Sequence, residues 1–210
     1  MELNNIKCII VDFDKTLYSN ADLSRVNDYY AQFLFEYGLV EKTPDAVGNI
    51  LKQYPNWHME QCVYFIARQN GIKDSEIRKW FNNHVYNILC DGIKIVSPDI
   101  LKKLCENYPV FILSDSARAH LEHYFKLFNY DKKWFAEIIS NDFKLKSMSK
   151  SGFMKKIVKK CNLNKDEVLM VGDSLRSDIK AANEAGIESF RVLTACDTEK
   201  LFNELIELKR

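Results

Sequence analysis

Three short apolar runs, at 8–11, 109–113 and 167–171, interrupt a sequence that otherwise repeats its apolar residues with helical spacing. Runs without alternation read as strands buried on both faces, the mark of a parallel sheet covered by helices. Segments 135–140 and 188–193 read as two further strands. Between and after the strands, helical patterns occupy 98–105, 117–128, 149–161, 177–185 and 197–208. Ser97 stands as an N-cap with Pro98 at the first helical position, and Gly186 closes the helix at 177–185. This alternation predicts an α/β, doubly wound, Rossmann-like parallel sheet.

The stretch 19–96 breaks the alternation. Apolar residues at 23, 26, 29/30, 33/34 and 37 predict a helix over 22–37, ended by Gly38. Further helices are expected at 44–53, closed by Tyr54-Pro55-Asn56, at 58–69, closed by Asn70-Gly71, and at 74–89, before Asp91-Gly92. Four helices in a region too long for an ordinary crossover predict an inserted α-helical cap. The expected domains are an α/β core of 1–18 and 97–210 and a helical cap of 19–96.

Composition narrows the function. With 210 residues, the chain can bury a substantial core. Its 30 Lys and Arg against 29 Asp and Glu give a net charge of +1, with no bias toward nucleic acid or an anionic membrane. The six cysteines (8, 62, 90, 105, 161, 196) form no CxxC pair and read as reduced thiols. The four histidines (58, 84, 120, 123) lack metal-ligand spacing, and His120 and His123 read as a helix face. No apolar span has membrane length and no leader-like apolar region stands at the N-terminus, so the expected location is the cytoplasm.

The chemistry gathers where strands end. The first run leads into Asp12-Phe13-Asp14-Lys15-Thr16. Taken alone, this could be a polar strand exit with ordinary capping residues. However, side chains two apart on extended chain point the same way, so Asp12 and Asp14 could share one small volume. Like charges that close need a cation, a shared proton or separate roles. Ser114 and Asp173 end two other runs, and right-handed crossovers bring all three ends to one sheet edge. Oxygen-only ligands without His or Cys favour Mg²⁺, whose shell a substrate phosphate would complete.

Asp12-Phe13-Asp14-Lys15-Thr16, Ser114, a lysine segment and Gly172-Asp173-Ser174-Leu175-Arg176-Ser177-Asp178 resemble the four ordered motifs of the haloacid dehalogenase superfamily. The resemblance covers most of the chain outside 19–96. It implies Asp12 as a nucleophile forming an aspartyl-phosphate, and Asp14 as acid to the leaving alcohol and base to the attacking water. It implies Mg²⁺ held by the Asp12 carboxylate, the Asp14 backbone carbonyl and Asp173, with Ser114 on a phosphoryl oxygen. Thr16 would support the loop, and Asp178 would position the lysine, bond a metal-bound water or cap the following helix. Members that cleave carbon–halogen bonds lack the second acid, so Asp14 points to phosphate esters.

The lysine motif departs from the family pattern. Lys146, seven residues before Phe153, fits best although the usual proline is missing; Lys150 is second and Lys144 third. Asp115 stands where many relatives carry Asn, adding negative charge beside the phosphate site. Tyr18 and Ser19 are placed to line the entrance. Cap candidates for substrate contact are Arg25, Tyr29, Trp57, His58, Arg68 and Lys79. The expected function is a Mg²⁺-dependent phosphatase acting on a small phosphorylated metabolite, of sugar phosphate or nucleotide type. A phosphomutase and a non-catalytic binder of a phosphorylated ligand or partner protein are the alternatives.

Overall fold

A computed structural model of the chain describes residues 3–19, 23–55, 57, 59–84, 93–116, 118–140 and 149–209. It divides into two compact units, Met1–Ser19 with Lys94–Arg210, and Asn20–Ile93.

The first unit is built on β1 (Cys8–Val11), whose four residues are fully buried. Its β-branched Ile9, Ile10 and Val11 suit a strand packed on both faces. β4 (Val110–Leu113) and β5 (Glu137–Ile139) extend the sheet on one side, β6 (Val168–Gly172) and β7 (Glu188–Arg191) on the other. The order is β5-β4-β1-β6-β7, every pair is parallel, and Ile9 sits opposite both Val110 and Leu169. Winding reverses at β1, so its carboxyl end lies at the switch point where such sheets bind ligands.

The helices are α5 (Pro98–Asn107), α6 (Arg118–Leu127), α7 (Lys150–Cys161), α8 (Lys180–Ala185) and α9 (Ala195–Glu207). Met154 and Ile157 of α7 and Ala181, Ala182 and Ala185 of α8 form one core with Cys8, Ile10, Phe111 and Met170. Ser97 stands at the N-cap of α5 with Pro98 opening the helix, as expected, though its hydroxyl makes no capping bond and its backbone N–H donates to the Glu199 side chain. One expectation is corrected. The helix expected over 177–185 begins earlier, as a π-helical turn at Leu175–Ile179 that leads into α8. The wider turn points Asp178 into the protein, fully buried. A two-residue antiparallel ladder, β2 (Tyr18–Ser19) with β3 (Lys94–Ile95), was not expected; it is too short to display alternation.

The second unit contains α1 (Leu23–Glu36), α2 (Ala46–Gln53), α3 (Met59–Gln69) and α4 (Asp74–His84). Phe33, Leu34, Ile50, Met59, Cys62, Val63, Ile77 and Trp80 form its core. Gly38 follows α1 at φ +64°, a left-handed position that glycine takes without strain. The part of the fourth helix expected at 85–89 lies outside the described residues. Among the described residues, no helix is long and apolar enough to cross a membrane.

Candidate active site

The Asp12 N–H donates to the Val171 carbonyl at 2.9 Å, which keeps the chain in sheet register one residue past β1. It then turns tightly, with the N–H groups of Thr16 and Leu17 both reaching the Phe13 carbonyl (3.3 and 3.0 Å) and Lys15 at φ +60°. Phe13 is fully buried and packs edge-on against Tyr124 and Phe125, which anchors the turn. The Thr16 carbonyl accepts from the Thr198 hydroxyl at 2.8 Å, while its own buried hydroxyl has no hydrogen-bond partner among the described residues.

Lys150, the first residue of α7, is 7% exposed. Its Nζ lies 2.9 Å from Asp12 Oδ1, 2.5 Å from Asp178 Oδ1 and 3.8 Å from Asp115 Oδ2. The Ser149 hydroxyl caps α7 by accepting from the Gly152 N–H at 3.1 Å, fixing where Lys150 starts. Burial pulls the Lys150 ammonium down, but Asp12 and Asp178 outweigh it and hold the charge more firmly than usual. Burial pushes the Asp12 carboxyl well above its ordinary range; Lys150 pulls against this, while Asp178 and Asp14 add to it. Lys146 and Lys144 lie outside the described residues; Lys150 is the described lysine in contact with Asp12.

Asp178 accepts from the Ser174 N–H (3.0 Å) and the Ser177 hydroxyl (3.1 Å) besides Lys150. It fits because β6 ends in Gly172: a Cβ there would stand 2.5 Å from the Asp178 Cγ. Gly172→Ala is therefore expected to destabilise the fold by about 1–3 kcal/mol through overpacking. Urea unfolding measures this, and activity should fall with it, because the displaced carboxylate is the one that holds Lys150.

Asp12, Asp173 and Asp178 can each bring a carboxylate oxygen within 4.8 Å of the others. Burial first, then Asp178, raises the Asp173 carboxyl. An all-oxygen set of crowded, partly desolvated carboxylates fits a hard divalent cation.

The Asp14 carboxylate faces a different set of groups. Its Oδ1 accepts from the Tyr18 hydroxyl at 2.6 Å and lies 3.1 Å from His120 Nε2. Its Oδ2 accepts from the Ser116 hydroxyl and, at 3.3 Å, from the Ser114 hydroxyl. Burial works to raise this carboxyl, but the partners, His120 foremost, bring it down to about 2. His120 and Ser116 were absent from the expected site. The serine's only signal was its place two residues after Ser114, and the histidine had none.

The expected substrate contacts on the second unit are dispersed. Tyr29 donates to the Phe81 carbonyl at 3.0 Å and packs against the bundle core. Trp57 is 40% exposed and stacks on Tyr54. Arg68 forms a bidentate pair with Asp74, both contacts 2.7 Å, and Lys79 is exposed. His58 and the side chain of Arg25 lie outside the described residues. Asp115 is largely exposed, its carboxylate turned toward Lys150. Ser19 accepts from the Ala195 N–H at 3.4 Å.

A parallel α/β core with carboxylates at the end of β1, a hydroxyl after β4, a buried lysine and an acidic loop after β6 defines an enzyme class. The sequence matches the model of the haloacid dehalogenase-like hydrolases over residues 6–186, and the chain belongs to that family. A search of curated proteins finds no match. Among solved structures, it is similar to a predicted phosphoglycolate phosphatase from Haemophilus somnus, with TM-score 0.60, 18% identity and 88% and 84% of the two chains covered. It is also similar to a candidate β-phosphoglucomutase from Thermotoga maritima, with TM-score 0.65, 16% identity, and 96% and 99% covered. A third is a family enzyme from Bacteroides thetaiotaomicron in complex with magnesium and inorganic phosphate, with TM-score 0.52, 20% identity, and 89% and 93% covered. At these identities the likeness is one of fold.

Proposed function

We propose that this hydrolase is a Mg²⁺-dependent phosphatase that cleaves a small phosphomonoester through a phosphorylated Asp12. The observation that carries the reading is the second carboxylate, Asp14, held at the site by side-chain donors on both of its oxygens. Breaking a carbon–halogen bond needs no proton donor, whereas an alkoxide leaving from phosphorus does.

The Asp12 carboxylate attacks phosphorus, the P–O bond to the alcohol breaks, and Asp14 gives the departing oxygen its proton. Asp14 is ionised without substrate; an arriving phosphate raises its carboxyl by like-charge repulsion, favouring the protonated form. Water then attacks the aspartyl-phosphate and gives its proton to Asp14, and the Asp12–phosphorus bond breaks to release orthophosphate. Lys150, supported by Asp178, balances the charge of Asp12 and the phosphoryl oxygens. Ser114 turns its hydroxyl toward one of those oxygens. Asp12 and Asp173 would hold Mg²⁺ with the Asp14 carbonyl, and the ion when bound supplies positive charge beside the transferring phosphoryl group. The helical unit of residues 20–93 serves as a cap that selects the substrate, a sugar phosphate or nucleotide in type.

Phosphate release from a panel of phosphomonoesters, with Mg²⁺ and with EDTA, tests the reading. Metal-dependent release supports it. No release from any ester, but isomerisation of a sugar phosphate primed with its bisphosphate, would replace it with a mutase.

Metal binding has its own readout. Mg²⁺ at about 100 times its dissociation constant should stabilise the protein by about 2.7 kcal/mol, raising the melting temperature. Asp173→Asn should remove most of that rise; an unchanged rise would take Asp173 out of the ligand set.

A further inference from the structure

We propose that His120 is a positioning residue for Asp14: with Tyr18 it fixes the Asp14 carboxylate in the orientation that serves proton transfer. The kinetic part of this inference rests on the phosphatase reading; the contact itself does not.

The Asp14 side chain is 31% exposed, enough for an unheld carboxylate to rotate and hydrate. Two of its donors have other duties or short tethers. Ser114 must turn toward the phosphoryl group, and Ser116 belongs to the same post-β4 loop. The two donors on Oδ1 are built differently. Tyr18 OH is 2.6 Å away and His120 Nε2 is 3.1 Å away, and the rings of both rest on Tyr124, which is 2% exposed. Tyr18 stacks on Tyr124 at 5.1 Å and 12°, and His120 packs against it at 4.4 Å. One buried ring thus sets the angle between the two donors.

The helix that carries His120 is itself pinned. Arg118, at the start of α6, donates to the Ile138 carbonyl of β5 at 2.7 Å. His120 therefore reaches Asp14 from a separate element, α6, whereas Tyr18 reaches it from four residues along the same segment. Removing His120 leaves Oδ1, among the described residues, with the Tyr18 hydroxyl of its own segment alone. Its loss should misplace Asp14 without touching Asp12, Lys150 or the acidic set.

Three variants, read by spectra and by kinetics, test this. In ¹⁵N spectra of the imidazoles, Asp14→Asn should shift the His120 Nε2 signal; an unchanged signal overturns the contact. In kinetics, His120→Ala should lower kcat on an alkyl phosphate on the order of 10–100-fold, the range of one charge-assisted hydrogen bond. KM should stay within about twofold, as expected when an interaction matters to the chemical step. On p-nitrophenyl phosphate, whose leaving group needs no acid, the same variant should give a burst of nitrophenolate before slow turnover, because water attack still needs Asp14. His120→Gln, which can place an amide N–H where Nε2 stood, should restore most of the rate. Equal losses on both esters without a burst, or a Gln variant as slow as Ala at an unchanged melting temperature, overturn the positioning role. If the wild type releases phosphate from no ester, the phosphatase reading fails, and the spectra still decide the His120–Asp14 contact.

Discussion

Asp12→Asn is expected to give a folded protein with turnover reduced on the order of 10⁴-fold or more. An amide of the same volume is no nucleophile, so the covalent step is lost while packing survives. Stability should hold or rise. Asp12 is buried, its carboxyl is pushed well above the ordinary range, and its ionised form is therefore a cost to the fold near neutral pH. The neutral amide removes that cost, and Lys150 keeps Asp178 as its partner. Phosphate release and a melting curve on the same preparation check both halves. A near-normal rate would sink the covalent mechanism, and a large fall in melting temperature would mean that Asp12 is needed for folding rather than chemistry.

Lys150→Met is the second large effect, and it should cost both activity and stability. The ammonium touches two buried carboxylates, and removing one member of a buried ion group costs about 3–5 kcal/mol because the rest is left uncompensated. Without it, the burial that already raises the Asp12 carboxyl goes unopposed, so Asp12 should hold its proton more tightly in the folded than in the unfolded chain. A carboxyl whose folded pKa is raised makes the native state the more protonated one, so stability falls as pH rises above the unfolded carboxyl value. The variant should therefore unfold at lower urea at pH 8 than at pH 5, with a larger gap than the wild type. Turnover should drop by at least about 10³-fold, since the phosphoryl charge loses its fixed cation. Lys146→Met should leave both properties close to wild type. If Lys146→Met abolishes turnover and Lys150→Met spares it, the lysine roles are reversed.

The sheet was legible because its three central strands, β4, β1 and β6, are uninterrupted apolar runs, and Asp12, Ser114 and Asp173 were legible because each stands just past such a run. The order of the motifs then carried the family. The lysine was harder to read. Three lysines fall within seven residues and their spacing does not decide among them; the start of α7, fixed by the Ser149 cap, is what brings Lys150 to Asp12. His120 was out of reach of any local pattern. Its partner is 106 residues away, and a histidine on a helix reads the same whether it meets solvent or a carboxylate. The π-helical turn escaped for a similar reason: it goes with the buried place of Asp178 close beside Gly172, a packing contact that no spacing displays.

The ladder between Tyr18–Ser19 and Lys94–Ile95 has a consequence for how this protein can vary over evolutionary time. Residues 20–93 leave and rejoin the first unit at neighbouring points, Ser19 opposite Lys94. To the rest of the chain, that whole segment is the loop of a hairpin, and a hairpin does not record how long its loop is. Insertions, deletions or wholesale exchange there can proceed without shifting the register of β1, β4 and β6. Descendants of this chain can therefore trade the segment while β1, β4 and β6, with the polar residues at their ends, are inherited in place.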